Sequence, residues 1–426
     1  MLIEKRIPPF ATTFGLIFTL ACTACTTPVQ DGRDFAFTLS APVKADPQDS
    51  GQDTQALAHW WRSFNDPVLT GLIEQGQANN ADIARAQRDY RQALADIGDG
   101  SDKGGLSALF GKGARGDEAG KARLSAMQYR KGDAEARIAA EIALAYIAVR
   151  EQQLVHNSVK SRLESQQDNR EVAAYRREAG LARAYDEDLA RVQHAQTWTT
   201  LGQIEAELQE RIITLAQLVG ITPDELADRI GAQGLIPYGD TLLGNDEADY
   251  LPWRRADLRE AERTLSAELI DAGIGRDQVE AALAAQKAGS AAQFPAELAD
   301  ALKTYQGAVQ KARNEVEHSR QILQSAIAQA DALTDARQSA EAAIKDAKLA
   351  YNNGYGDFAR IYVAEDALGS VQRSLAHAEA QRAAAMVNFY TALGGGWDSP
   401  APAQPSVTPP ATPTADTMTK GASSDD

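Results

Sequence analysis

The chain has 426 residues and a net charge of −16. A chain with this negative charge repels phosphate backbones and anionic lipid head groups. We therefore expect no nucleic-acid partner and no general affinity for anionic membranes. Hydrophobic residues make up 44% of the chain and aromatic residues only 6%. Alanine therefore carries much of the apolar content, which favours long helices over sheets.

The first 25 residues have the features of a secretory signal. Two basic residues precede the apolar run FATTFGLIFTLA (10–21), which is too short to span a bilayer as a helix. Small residues then precede each of the two cysteines of the chain, Cys22 and Cys25. The segment resembles a bacterial lipoprotein signal, so we predict that one of these two cysteines is lipidated. The alternative is an ordinary signal peptide with incidental cysteines.

The remainder of the chain repeats itself. The stretch ADIARAQRDYRQALADIG (81–98) aligns with ADLREAERTLSAELIDAG (256–273). Further along, Gly180 and Gly220 of the first half recur as Gly354 and Gly394 of the second half, at almost the same offset as these two stretches. We therefore predict two tandem repeats. The predicted organisation is a signal at 1–25, a flexible tether at 26–56, a first helical repeat at 57–220, a linker at 221–255, a second helical repeat at 256–398, and a disordered Pro/Thr/Ala tail at 399–426.

Each repeat is predicted to be a first helix followed by a long antiparallel hairpin. Long proline-free stretches permit such helices. Mainly apolar residues follow a 3–4 spacing in three rows that begin at Leu201, Leu323 and Leu368, with one arginine in each row. Sustained heptads predict coiled-coil packing. The fold class is therefore mainly α.

Three motifs then appear in order: HWWRSFNDPVLTGLI (59–73), YLPWRRADLREAE (250–262) and NFYTALGGGW (388–397). Together they resemble the TolC-like outer-membrane efflux lipoproteins, with Ala256 where that family usually has proline. The resemblance covers 57–398. It implies a homotrimer whose helices form a hollow periplasmic cylinder below a barrel in the outer membrane. Such a duct passes small molecules or secreted substrates from an inner-membrane pump through a periplasmic adaptor, without enzyme activity or a cofactor.

The barrel hairpins of this family have no clear counterpart in the sequence. The glycine-rich segment 99–120 and the segment 274–305 stand in their places, and neither has the alternating pattern of a membrane strand. We predict that 99–120 is a short connector and that barrel strands are short or absent. A lipid would then be the only membrane anchor. The alternative is that Leu106–Phe110 dips into lipid as a loop.

The predicted functional residues lie at the two hairpin turns. Gly180 and Gly354 match the family's periplasmic tips, where the adaptor docks and the entrance closes. Asp357 matches an acidic residue that narrows the entrance, and a ring of three aspartates would attract cations. Arg183 and Asp186 are candidate adaptor contacts. The alternative for Asp357 is a solvated turn residue.

No motif predicts catalysis, a cofactor or a metal site. GLSALFGKG (105–113) departs from a phosphate-binding loop in its spacing and lacks Ser or Thr after the lysine. The five histidines are scattered, with no pair at helical spacing. We therefore expect a duct component at the periplasmic side of the outer membrane. The alternative is a non-conducting coiled-coil scaffold, or barrel-less paralogue, that partners an efflux or secretion complex.

Overall fold

The computed structural model describes residues 55–98, 114–239, 254–275, 278 and 296–398. The predicted signal with Cys22 and Cys25, nearly all of the tether, and the tail beyond residue 398 lie outside the described residues. A 3-10 helix spans Trp60–Phe64. The principal α-helices are α1 (Pro67–Asn79), α2 (Ala81–Gly98), α3 (Ala114–Glu178), α4 (Ala184–Val219), α5 (Pro223–Ile230), α6 (Ala256–Asp271), α7 (Ala296–Asn352) and α8 (Phe358–Ala392).

Two long antiparallel hairpins dominate the fold, as the repeats predict. Helices α3 and α4 form the first hairpin, and α7 and α8 form the second. The hairpins lie side by side through α3 and α8, so the helices follow the order α4, α3, α8, α7. The shorter helix α6 packs against α3 and α7, and α2 packs against α3. Within the described ranges no residue forms a β-strand, and the prediction of a mainly α fold is confirmed.

The three apolar rows face the interior of these hairpins. Every residue of each row is buried or half-buried. Two of the three arginines that interrupt the rows have specific contacts. The guanidinium carbon of Arg382 lies 3.9 Å from the ring centre of Tyr238, and Arg337 donates to Glu341 at 3.0 Å. The 3–4 spacing therefore identified the packing faces correctly.

The long helix α3 begins inside the segment that the sequence marks as a connector. It starts at Ala114, so residues 114–120 are helical, while 99–113 lie outside the described residues. Ala119 and Ala122 pack against Ala267 of α6 in a small apolar cluster. This packing extends the helix although glycine is a poor helix former.

The two ends of the described chain share one apolar core, which we call the base. Trp60 and Trp61 of the first motif are almost fully buried there, and Trp60 lies 6.0 Å from the ring of Tyr390. The closing segment packs on the same core: a Cβ atom at Gly132 of α3 would lie only 2.4 Å from the Trp397 ring. The first and last sequence motifs therefore build the same structure.

Over the residues that the structure describes, we find no helix that is both long enough and apolar enough to cross a bilayer.

Candidate functional site: the paired helical tips

The first hairpin turns at Gly180, which adopts a left-handed conformation with φ of 72°. Its N–H donates to the Arg177 carbonyl at 2.9 Å, and the next N–H, of Leu181, donates to the Arg176 carbonyl at 2.7 Å. This pair of bonds is a Schellman motif, which ends a helix and commonly has glycine in the left-handed position. The sequence therefore sets the end of α3 through one residue.

The second hairpin turns in the same way at Gly354, whose φ is 79°. Its N–H donates to the Tyr351 carbonyl, and the N–H of Tyr355 donates to the Ala350 carbonyl, both at 3.0 Å. Asp357 follows as the N-cap of α8, because its carboxylate accepts from the backbone N–H of Arg360 at 3.1 Å. Its side chain is exposed. Asp357 thus caps α8, and its entrance role stays a prediction.

The two predicted contacts of the first tip differ in their surroundings. Arg183 is exposed and precedes α4 without a side-chain capping bond. Asp186 is half-buried in the first turn of α4. Burial raises the pKa of Tyr351 on the other hairpin, and the negative charge of Asp186 is the second cause of this rise. Asp186 therefore faces the second tip, while Arg183 faces solvent.

A small cluster joins the two tips and includes residues that the sequence analysis did not single out. The cluster contains one or two apolar residues from each of the four long helices: Ala173, Ala190, Tyr351, Phe358 and Ile361. Arg176 of α3 reaches across it. Its guanidinium carbon lies 4.8 Å from the ring centre of Tyr351, and its Nη1 donates to the Asn352 carbonyl at 3.4 Å. The tips are therefore held together by apolar packing and one cation–π contact.

Further from the turns, a buried carboxylate links the hairpins. Glu365 of α8 is 5% exposed. It accepts from Asn169 at 2.6 Å and from Ser165 at 3.3 Å, both on α3. Lys348 of α7 lies 3.7 Å from the same carboxylate and donates to Ser165 at 2.6 Å. A charge this deep needs such partners, so this network fixes the register between the two hairpins.

The outer surface of the tips is unusually apolar for an exposed turn. Tyr175, Leu181, Tyr185 and Tyr355 are 70%, 67%, 62% and 86% exposed. Aromatic residues grouped on a surface indicate a site of protein contact. In the part of the chain that the structure describes, no group of three or more His, Cys, Asp or Glu residues could hold a metal ion. The tips are thus suited to binding a protein surface.

Neither a protein-family model nor a curated protein matches the sequence. Solved structures do match the fold. The outer-membrane channel OprN superimposes with a TM-score of 0.66 at 22% identity, covering 84% of this chain and 99% of that chain.

The chain has the fold of the TolC-like outer-membrane channels.

Two further structures agree with this TolC-like fold. The outer membrane protein VceC of Vibrio cholerae gives a TM-score of 0.60 at 21% identity, covering 80% of this chain and 99% of that chain. The outer membrane channel MtrE of Neisseria gonorrhoeae, in its open state, gives a TM-score of 0.58 at 19% identity, covering 78% of this chain and 90% of that chain. At such identities the likeness establishes the fold, and it agrees with the resemblance carried by the three sequence motifs.

Proposed function

We propose that this protein is the outer-membrane component of a tripartite export system. In this proposal three copies form a periplasmic duct that passes small molecules or secreted substrates, and the protein is not an enzyme. A periplasmic adaptor and an inner-membrane pump supply the substrate. The TolC-like arrangement of two tandem hairpins, with both turns at one end, is the observation that carries the proposal.

The edges of the four-helix layer support assembly into a ring. Helix α4 forms one edge and carries an exposed 3–4 row that no described residue of the same chain covers. The row is rich in small residues and consists of Val192, Ala195, Thr199, Gly202, Ala206, Gln209 and Ile213. A Cβ atom at Gly202 would meet nothing within 4 Å. Such a face allows close approach of another helix with heptad spacing.

The opposite edge carries a matching row on α7. Its members are also exposed and mostly small: Ser325, Ala328, Ala332, Asp335, Ser339 and Ala342. If one edge of each copy packs against the opposite edge of the next copy, the copies are arranged head to tail. Such an arrangement closes into a ring when the rotation between neighbouring copies permits it. We therefore assign the contact between protomers to α4 of one copy and α7 of the next.

The tips provide the adaptor contact and the entrance in this proposal. Gly180 and Gly354 shape the turns, and Arg183 and Asp186 belong to the adaptor-facing surface. Three copies of the exposed Asp357 would surround the entrance, where ionised carboxylates favour cations and repel one another. Lipid attached to Cys22 or Cys25 would hold the assembly at the periplasmic side of the outer membrane.

The edge contact is tested with Ala206→Arg. We expect wild type to have three times the protomer mass by light scattering, and the variant to assemble at least about tenfold more weakly, because a long charged side chain then fills a close helix contact. Ser161→Arg is the matched control, since Ser161 is also exposed but lies on α3, which has a helix on each side. A monomeric wild-type protein would refute the ring.

A second candidate function is a non-conducting scaffold of the same export complex. The lack of strand alternation in 99–120 and 274–305 favours it. Conductance in planar bilayers separates the two candidates, because only the first predicts single-channel currents from the purified protein.

A further inference from the structure

A cavity of about 210 Å³ lies between α3, α4 and α8, on the side of the tips that leads towards the base. Its lining is largely polar and includes Arg162, Gln193, Thr197 and Arg373. Pockets for drug-sized ligands measure about 300–1,000 Å³. The volume therefore limits any ligand to a small solute of a few carbon atoms.

Two side chains at this cavity have buried polar atoms without a hydrogen-bond partner among the residues that the structure describes. Gln193 is 4% exposed, and both its amide nitrogen and its amide oxygen are unpartnered. The Nε atom of Arg162 is also buried without a partner. Buried polar groups in folded proteins are almost always hydrogen-bonded. These atoms are thus available to bind a small polar molecule.

The charge of the cavity favours an anion. Arg162 and Arg373 contribute two positive charges, against one negative charge from Asp366. Nη2 of Arg162 lies 3.5 Å from Oδ1 of Asp366, which is long for a charged hydrogen bond. A carboxylate accepts readily from guanidinium and amide N–H groups, and Thr197 adds a hydroxyl donor.

The opposite helix makes room for the Arg162 side chain. Gly369 of α8 is buried, and a Cβ atom at this position would lie 2.9 Å from Nη1 of Arg162. The absence of a side chain at Gly369 therefore lets the guanidinium lie against α8 beside the cavity. This observation is independent of the unpartnered amide.

We propose that the cavity binds a small organic acid, with one carboxylate held by Arg162, Arg373 and the Gln193 amide. Arg162, Arg373 and Gln193 are not members of the α4 and α7 rows that we assign to the contact between protomers. The site therefore stands apart from the proposed export function, and either can fail while the other holds.

Calorimetric titration of the purified full-length protein with acetate and with succinate tests the proposal. We expect saturable binding of at least one of them below about 10 mM, and at least about tenfold weaker binding of inorganic phosphate. An absence of saturable binding by both acids would overturn the proposal. Phosphate binding of equal strength would overturn the assignment to carboxylates.

Substitutions locate the site. Arg373→Gln and Gln193→Leu should each weaken binding about tenfold or more, since each removes a donor to the carboxylate. Gly369→Ala should also weaken it, because the new methyl group displaces the Arg162 guanidinium while every donor is kept. Gln338→Leu, at an exposed glutamine of α7, should leave binding unchanged. Circular dichroism confirms folding of each variant, and unchanged affinity in both Arg373→Gln and Gly369→Ala would overturn the proposal.

Discussion

The base and the tips of the protein are built in different ways. At the base, large aromatic rings interlock: Trp60 lies 5.7 Å from both Trp61 and Phe64, centre to centre. At the tips, a five-residue cluster contains the single ring pair of Tyr351 and Phe358. Polar networks and exposed aromatics surround that pair. The difference indicates a rigid base and tips that can rearrange without unfolding it.

The largest expected effect is at the base. Trp60→Ala should lower the free energy of unfolding by about 4 kcal/mol, because it removes a fully buried indole and leaves a cavity. Urea denaturation followed by circular dichroism measures this change. Trp198→Ala is the control, since Trp198 is 66% exposed on α4 and its loss should change the free energy by about 0.5 kcal/mol or less. Equal effects would contradict the contrast between core and surface.

An intermediate effect is expected where the hairpins meet. Glu365→Ala should cost about 2 kcal/mol, because Asn169 and Ser165 lose their buried acceptor. The change should appear as faster amide exchange in α3 and α8 near the tips, while exchange at the base stays at the wild-type rate. Uniformly faster exchange along both helices would show that the tips and the base open as one unit.

At the second turn, the cap and the charge of Asp357 can be separated. Asp357→Ala should destabilise the start of α8 by about 1 kcal/mol, because the N-cap acceptor is lost. Asp357→Asn keeps a capping oxygen and removes the charge, so amide exchange of Arg360 should stay close to wild type. If Asp357 also narrows an entrance, both variants should reduce the cation preference of the conducted current equally. Similar exchange rates in both variants would argue against the capping role.

The smallest expected effect is a stabilisation, whereas the preceding substitutions destabilise the protein, and it lies near the base. Burial, followed by the charges of Asp257 and Glu260, raises the pKa of Asp133 above 3.8, although Arg137 and Arg255 oppose this. The stabilising contribution of protonated Asp133 is therefore present below about pH 4 and is lost as the pH rises through the folded-state pKa.

Asp133→Asn should consequently raise the free energy of unfolding at pH 7 by less than about 1 kcal/mol, and with it the melting temperature. The gain should vanish near pH 4, where the wild-type carboxyl is also neutral. Melting curves of both proteins across this pH range provide the measurement. A variant that is less stable at pH 7 would show that the charge of Asp133 is compensated.

The sequence predicted those parts of the fold that depend on neighbouring residues along a helix. The 3–4 rows identified the packing faces, and the glycines at 180 and 354 marked both turns. Continued backwards from Leu368 with one repeated three-residue step, the row reaches Glu365, Ile361 and Phe358, so the buried glutamate could have been recognised as a charge on a packing row. Its isolation among apolar positions was the available signal.

Contacts between distant segments could not be predicted in this way. Arg176 and Tyr351 meet only because the two hairpins lie at the same height, and no local pattern encodes that distance. The same holds for the hydrogen bond that Tyr146 donates to Asp66 at 2.7 Å. The start of α3 at Ala114 likewise depends on packing against α6, which a single stretch of sequence does not show.

The shared core at the two ends of the described chain has a consequence for folding. The backbone N–H of Gly396 donates to the Leu57 carbonyl at 3.2 Å, which joins residues separated by almost the entire chain. Contacts between residues so far apart in the sequence form slowly. A nascent polypeptide can complete the first hairpin once residue 219 has emerged, but its indole-rich segment near residue 60 must wait for residue 397. Until then the aromatic core that joins Trp60 to Tyr390 is incomplete, and exposed apolar surface of this kind makes a nascent chain prone to aggregation.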